Sequence, residues 1–485
     1  MGEIQRASEL IRSLSLSITL FLGALMGLLL GLSFYFDWPY VLAVPAVLAV
    51  VYFALYHMNA LFLAVVFFTP LSINIEEYVE HFGLYIPTEP LLFGIMLLLL
   101  FYQLKSGILE KNYFKHPLVI LLFAYLAWIV ICSVTSTHPL ISFKSILARL
   151  WFIIPVFVFG PVLLNTERIV NRFFWALTIG TAIVIIYTVI NHASYGFGEK
   201  ESHWVMSPFY KDHTIYGAAV ALVVPFPIML YLKNKQTPLV AFILGALFLI
   251  ILIGLYFSYT RAAWLSVLGA LAIVGLVVFR IKFKVIFPVG LVVLMVLLFN
   301  LDNLQMELAR NKTEHTTEAF DERLQSAANV TTDASNLERI NRWTCAIEMF
   351  KERPVFGFGP GTFAFEYARF QEPENLTIIS TNFGDMGNAH SEYLSALSES
   401  GLLGFIFFVS FVIGCFYYMI QFIIKSRFVN HSYYILGCGM LFSLSTYFIH
   451  ALLNNFLDTD KAAVPIYGML SIVFVLNKSL STQPK

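Results

Sequence analysis

Charged residues are scarce in this sequence: lysine, arginine, aspartate and glutamate make up only 12% of its 485 residues. A soluble domain carries about 25%, so one water-soluble core is excluded. The 30 basic residues balance 30 acidic ones, which excludes the broad positive field of a nucleic-acid-binding protein. The four cysteines include no CxxC pair, and this pattern argues against a disulfide framework or a zinc site.

Hydrophobic residues are abundant instead, at 59% of the chain with a mean hydropathy of +0.77. A bilayer-crossing helix needs about 20 apolar residues, and the chain supplies many such runs. The sequence therefore predicts an all-α polytopic membrane protein of about 12–14 transmembrane helices. The basic start, followed by a long apolar run, is interpreted as an uncleaved first span. Fourteen candidate spans fall at 14–36, 38–56, 59–74, 88–104, 116–134, 151–165, 172–190, 214–232, 238–258, 262–279, 285–300, 402–424, 433–452 and 463–477.

The distribution of lysine and arginine predicts the orientation of the chain. With a cytoplasmic N-terminus, sixteen of these residues fall in inside segments. Six fall in short outside loops: Lys144, Arg149, Lys200, Lys211, Arg261 and Lys461. Positive charge accumulates on the cytoplasmic side of membrane proteins, so both termini are expected inside. Three regions follow: spans in 1–300, a large outer loop in 301–401, and the last spans in 402–485.

The 301–401 segment is the one long polar stretch, and function is expected there. Apolar residues recur at helical spacing before Pro354, so the loop is predicted to be partly helical. A glycine-rich turn, GFGPGTF, follows. It is not a nucleotide-binding P-loop, because no GK[ST] follows it. The outer loop also has no DxD-like pair, so metal-independent chemistry without cofactor or nucleotide is favoured.

Two sets of polar residues border predicted spans on the outer side. Arg261 lies between spans too close for a free loop, and a charge there is either functional or a snorkelling interfacial arginine. Lys211 and His213 precede span 214–232; Lys211 could bind a phosphate or serve as an interfacial anchor. Asp212 or Thr214 would then begin the helix.

Further candidates lie in the loop itself. His390 precedes span 402–424 and could take up a proton near neutral pH, or it could be a packed or capping histidine. Arg339 and Arg342 share a helical face. They could bind phosphate, or they could form a solvated face paired with Glu338.

Taken in order, these motifs resemble a known family. SYTRAAWLS is followed by R-x-x-x-W at Arg339, then by P-x-x-G-x-G-x-x-x-F from Pro354, and finally by N-A-H-S-E-Y-L-x-x-L-x-E-x-G-x-x-G from Asn388. The set resembles the superfamily of O-antigen ligases and O-antigen polymerases, which includes bacterial protein O-oligosaccharyltransferases. The motifs cover about 200–404. One departure is the family's H-N-x-x-L, because Ser391 follows His390 here and Asn388 precedes it.

The resemblance implies an inverting, metal-independent glycosyltransferase with a GT-C-like fold. It would take a glycan from undecaprenyl diphosphate at the periplasmic face of the bacterial inner membrane. His390 would be the base that deprotonates the acceptor hydroxyl. Arg261, Arg339 and Lys211 would bind the donor diphosphate. Residues in possible supporting roles are Arg342, Asn388 and His213.

The acceptor distinguishes the functional hypotheses. A ligase would use lipid A–core, a polymerase another lipid-linked glycan, and an O-oligosaccharyltransferase a protein. A polysaccharide transporter is the hypothesis from another class; it would need charged residues in mid-span and broken helices. The outer-face charges gather at span ends and in one loop, which favours an enzyme.

Overall fold

A computed structural model describes residues 21, 23–37, 43–77, 83–233, 237–282, 334–373 and 387–482, with 284, 288, 295 and 376 in isolation. The chain forms two compact units, Met1–Phe62 and Leu63–Lys485. The regular secondary structure of the described residues is helical, apart from a two-stranded antiparallel sheet. Its strands are β1 (Ile73–Asn74) and β2 (Tyr85–Ile86), with Ile73 opposite Ile86. This agrees with the predicted all-α class.

The α-helices are numbered in chain order. They are α1 (Gly23–Phe36), α2 (Ala43–Tyr56), α3 (Met58–Phe68), α4 (Thr88–Ser106), α5 (Pro117–Val134), α6 (Pro139–Phe152), α7 (Gly160–Leu163), α8 (Glu167–Ser194), α9 (His213–Val223), α10 (Pro225–Lys233), α11 (Pro238–Tyr256), α12 (Arg261–Val278), α13 (Ala334–Glu352), α14 (Phe363–Glu366), α15 (Glu392–Val429), α16 (His431–His450) and α17 (Asp460–Thr482). A π-helical segment, Ile153–Val158, continues α6.

Ten helical segments in the described part of the chain are long and apolar enough to cross a membrane. Three shorter apolar helices, α1 to α3, precede them. The protein is therefore a multi-pass membrane protein. Apart from residues 288 and 295, the predicted span at 285–300 lies outside the described residues, as does the start of the one at 14–36, so the total of 12–14 stays a prediction.

The helix starts follow from local chemistry. The Asp212 side chain accepts hydrogen bonds from the backbone N–H groups of Thr214 and Ile215, which satisfies two donors at the start of α9. Ser391 caps α15 through the N–H of Leu394. Proline occupies the first turn of α5, α6 and α11, where its missing N–H costs no hydrogen bond.

The predicted span at 151–165 was placed too late. The helix begins at Pro139 and runs through the π-helical segment to Val158. Arg149, which the sequence places in an outer loop, lies inside this helix with its guanidinium 4.0 Å from the Glu399 carboxylate. A paired arginine can lie within a span, because its partner offsets part of the cost of removing the charge from water.

Lys461 was also assigned to a short outer loop, and the structure places it in the first turn of α17. Its ammonium is buried and donates hydrogen bonds to the carbonyl oxygens of Thr69 (2.7 Å) and Ser72 (2.8 Å). The neighbouring Asp460 carboxylate accepts hydrogen bonds from the hydroxyls of Ser72 and Thr88. These contacts join the beginnings of α4 and α17 to the end of α3.

The loop helix α13 defines one end of the bundle, here named the loop end. Beside it, the backbone N–H of Thr137, just after α5, donates to the carbonyl of Phe358 (3.0 Å). At the opposite end, Arg427 near the end of α15 donates to the carbonyl of Val278, the last residue of α12 (3.1 Å). Helices α9, α12 and α15 therefore begin at the loop end, and α16 ends there.

A break in α15 anchors the glycine-rich turn. Gly401 has φ +67°, so the helical hydrogen-bond pattern is interrupted there. The freed carbonyls of Ser398 and Glu399 accept hydrogen bonds from the N–H groups of Phe358 (3.1 Å) and Gly359 (2.9 Å). Because α13 ends at Glu352, before Pro354, the predicted helix and its stop are confirmed. The turn fixes the loop helix to the membrane bundle.

Candidate active site

The floor of the candidate site is formed by three helix ends. His213 begins α9, Arg261 begins α12 and His450 ends α16. The hydroxyl of Thr260 donates to the carbonyl of His213 (2.7 Å), which links the first two helix starts. Gly217 permits this approach, since a Cβ there would lie 2.6 Å from the Thr260 Cβ. Two helix N-termini thus meet at the loop end, and such termini favour anions.

His390 is held above this floor by its backbone. It adopts φ +48°, a left-handed conformation that is costly for a residue with a side chain. Its N–H donates to the Asn388 side-chain oxygen (3.0 Å), and its carbonyl accepts from the Trp343 indole N–H (3.2 Å). The tryptophan of the R-x-x-x-W motif therefore fixes the histidine. Asn388, a predicted supporting residue, also acts on its backbone.

Arg342 supports the same segment from α13. Its guanidinium contacts the Glu338 carboxylate (2.8 Å) and donates to the Asn388 carbonyl (3.1 Å). It also lies 4.7 Å from the centre of the Tyr367 ring, within range of a cation–π interaction. The predicted pairing with Glu338 is present, but both side chains are buried rather than solvated. Arg342 is thus well placed to hold the chain that leads into His390.

The electrostatic surroundings keep the His390 imidazole neutral. Burial lowers its pKa to about 4, and the positive charges of Arg342 and Arg339 act in the same direction. The amide of Asn454 and the carboxylate of Asp212 oppose this shift. At neutral pH the ring can therefore accept a proton, as a general base must.

The positive charge of Arg339, on the loop helix, reaches the helix ends that form the floor. Its charge acts on His213 and His450 as well as on His390. The charge of Arg261 acts on His213 too. The two arginines and His390, which the sequence predicts as one site, are thus gathered around the same group of histidines. The His213 ring lies 4.1 Å from that of His203.

Lys211 has a different environment. Its side chain is 65% exposed, and its ammonium lies 3.7 Å from the carboxylate of Glu76. An exposed ion pair of this kind contributes little to stability. These contacts fit the hypothesis that Lys211 is an interfacial anchor better than the hypothesis that it lies beside His390. A role of Lys211 in diphosphate binding stays a prediction.

Two residues near His390 were missed by sequence reasoning. The side-chain oxygen of Asn454 lies 3.4 Å from His390 Nδ1, and His450 is buried at the end of α16. His450 is the last residue of α16 and Asn454 lies just beyond it, where asparagine and histidine are ordinary residues of a helix end. The sequence contains no signal that connects Asn454 to His390, which lies 64 positions earlier.

No group of three or more histidine, cysteine, aspartate or glutamate side chains in the described ranges has the geometry to hold a metal ion. The absence of a metal from the reaction stays a prediction. At the loop end, the positive charges of Arg339 and Arg342 act on a neutral His390, and the carboxylates there include Asp212 and Glu338. This arrangement can bind an anionic group and accept a proton beside it.

The fold and this group of side chains define a class: a multi-pass α-helical membrane protein with a cationic, histidine-containing site at one end of its bundle. Residues 246–409 match a family model described as O-Antigen ligase. The match confirms the resemblance to the O-antigen ligase and polymerase superfamily that the motifs indicate. It includes Arg261, Arg339 and His390, and it ends before Asn454. No curated protein matches the chain.

Proposed function

We propose that this protein is an O-antigen ligase, which transfers a glycan from undecaprenyl diphosphate to lipid A–core at the periplasmic face of the inner membrane. The observation that carries the proposal is a neutral His390 within electrostatic range of Arg339, whose charge also acts on His213 together with that of Arg261. The match over residues 246–409 supports O-antigen ligase-family chemistry. The family match does not distinguish among acceptors, so lipid A–core as the acceptor is part of the proposal alone.

In the proposed reaction, His390 accepts the proton of an acceptor hydroxyl. The hydroxyl oxygen then forms a bond to the anomeric carbon of the donor sugar, from the face opposite the diphosphate. The bond from that carbon to the diphosphate oxygen breaks, and undecaprenyl diphosphate leaves with the electron pair. Arg261 and Arg339 stabilise the charge that develops on it. The donor is already activated, so neither cofactor nor nucleotide is required.

The first test is a deletion strain of the source bacterium, with whole-cell lipopolysaccharide separated on a glycan-stained gel. We expect lipid A–core to lose its entire glycan ladder while long lipid-linked glycan accumulates. The wild-type gene should restore the ladder, and His390→Ala should not. His431→Ala is a matched control, because His431 begins the same helix that His450 ends and lies at the opposite end of the bundle.

Other results would contradict the proposal in distinct ways. Lipid A–core that keeps a single repeat unit would indicate a polymerase. An unchanged lipopolysaccharide pattern would indicate protein O-glycosylation, assembly of another polysaccharide, or transport. Restoration of the ladder by His390→Ala would remove the histidine from the mechanism. In each comparison, equal amounts of the variants in the membrane fraction must be shown by immunoblot.

A further inference from the structure

Asn454 places a polar side chain against the ring of His390. Its side-chain oxygen lies 3.4 Å from His390 Nδ1. The residue is 2% exposed. Its backbone N–H donates to the carbonyl of His450 (3.1 Å), so it extends the end of α16. The backbone of Asn454 is therefore anchored to the end of a membrane helix, whereas the histidine belongs to the segment that closes the loop.

A neutral imidazole has one N–H donor and one acceptor nitrogen. The partner of one nitrogen therefore decides what the other can do. An amide oxygen only accepts hydrogen bonds, so the nitrogen that faces it must carry the proton. With Nδ1 protonated, the lone pair lies on Nε2.

We propose that Asn454 is a positioning residue that holds His390 in the Nδ1–H tautomer and directs the basic Nε2 towards the acceptor hydroxyl. The inference rests on the proposed function, since it assigns the orientation of the base named there. Asn454 takes no proton and touches no reacting atom. Rotating its amide by half a turn would present a donor to Nδ1 and leave Nε2–H, a ring that cannot accept a proton at Nε2.

The charged groups around His390 come from two other elements. Arg339 and Arg342 lie on α13, and Asp212 precedes α9. A neutral amide at position 454 adds no charge to this set. A carboxylate at the same place would attract the protonated ring and raise the pKa of His390, by about one to three units for a charge at this distance. A loss of packing alone would not raise the pKa of His390. The substitution Asn454→Asp therefore tests the positioning role separately from a structural one.

The experiment uses the full-length protein, with lipid-linked glycan extracted from the deletion strain as donor and lipid A–core as acceptor. The pH profile of kcat/KM is measured for wild type, Asn454→Asp, Asn454→Leu and Asn455→Asp. The last is a matched control: it places the same charge one residue away, where the native amide donates to the Ser395 hydroxyl (3.3 Å).

We expect Asn454→Leu to lower kcat/KM by about 10- to 100-fold, a part of what a general base contributes. Asn454→Asp should keep most of the activity and move the acidic limb of the profile upward by at least about one pH unit. Asn455→Asp should move the limb less. An unmoved limb in Asn454→Asp, or wild-type activity in Asn454→Leu, would overturn the inference.

His390→Ala distinguishes the failure of this inference from the failure of the proposed function. If His390→Ala still transfers glycan, the assignment of the base fails, and the role of Asn454 fails with it. If His390→Ala is inactive while both Asn454 variants resemble wild type, only the positioning role fails. Intact membrane insertion and an unchanged melting temperature for Asn454→Asp keep the comparison valid.

Discussion

At the scale of single residues, the pKa of His390 predicts a pH dependence. Its value of about 4 lies below the usual 6.5 because the ring is buried near two arginines. The ring therefore stays neutral until the pH falls towards 4, whereas an unfolded chain takes up the proton first. Transfer should be constant between about pH 6 and 8 and should decline as the pH falls towards 4. Folding stability should decline over the same acidic range. Initial rates and melting temperatures across this range would check both statements.

Arg342 gives a second prediction at this scale. Its planar guanidinium contacts Glu338, Asn388 and Tyr367 at once, and the point charge of lysine cannot reproduce that geometry. Arg342→Lys should reduce transfer by about tenfold or more, while the protein still inserts into the membrane.

The control for this substitution is Arg353→Lys. Arg353 stacks on the Phe358 ring at 4.9 Å but, among the contacts described, it does not support the segment before His390. Equal activities of the two variants would show that the Arg342 contacts are dispensable.

At the scale of elements, the break in α15 is the feature most open to test. Gly401 has φ +67°, and a Cβ there would lie 2.1 Å from the Val355 carbonyl oxygen. Gly401→Ala should therefore separate the turn from the helix and destabilise the protein by about 1–3 kcal/mol. Limited proteolysis should cleave the loop faster than in wild type.

Gly245→Ala is the matched control, because Gly245 lies in α11 and a Cβ there meets no atom within 4 Å. Its proteolysis pattern should match that of wild type. A Gly401→Ala protein as resistant as this control would mean that the turn is held by other contacts.

At the scale of the whole molecule, the fold class and the loop helix could be predicted because both follow from patterns along the chain. The beginning of α6 could not, since Lys144 and Arg149 interrupt the apolar run that marks a span. Arg149 is tolerated because Glu399, distant in sequence, lies beside it. For the same reason the sequence indicates His390 but not Asn454: their contact depends on how α15 and α16 pack.

The predicted orientation can be tested with engineered cysteines. Lys351 on the loop helix is 63% exposed, and Lys478 near the end of α17 is 57% exposed. With a periplasmic loop, a membrane-impermeant maleimide should label Lys351→Cys in spheroplasts and label Lys478→Cys only after lysis. Three of the four native cysteines are buried, so background labelling should be low. The opposite pattern would reverse the orientation.

The contact between His390 and Asn454 has a consequence for biosynthesis. Asn454 is translated 64 residues after His390, and the intervening chain contains α15 and α16. Arg261, Arg339 and His390 are translated before Asn454. Until Asn454 has been made, the imidazole of His390 has no amide beside it. Catalytic competence should therefore arise only after α16 and Asn454 have been made. In the proposed reaction, such an order would keep immature molecules from consuming the donor during membrane insertion.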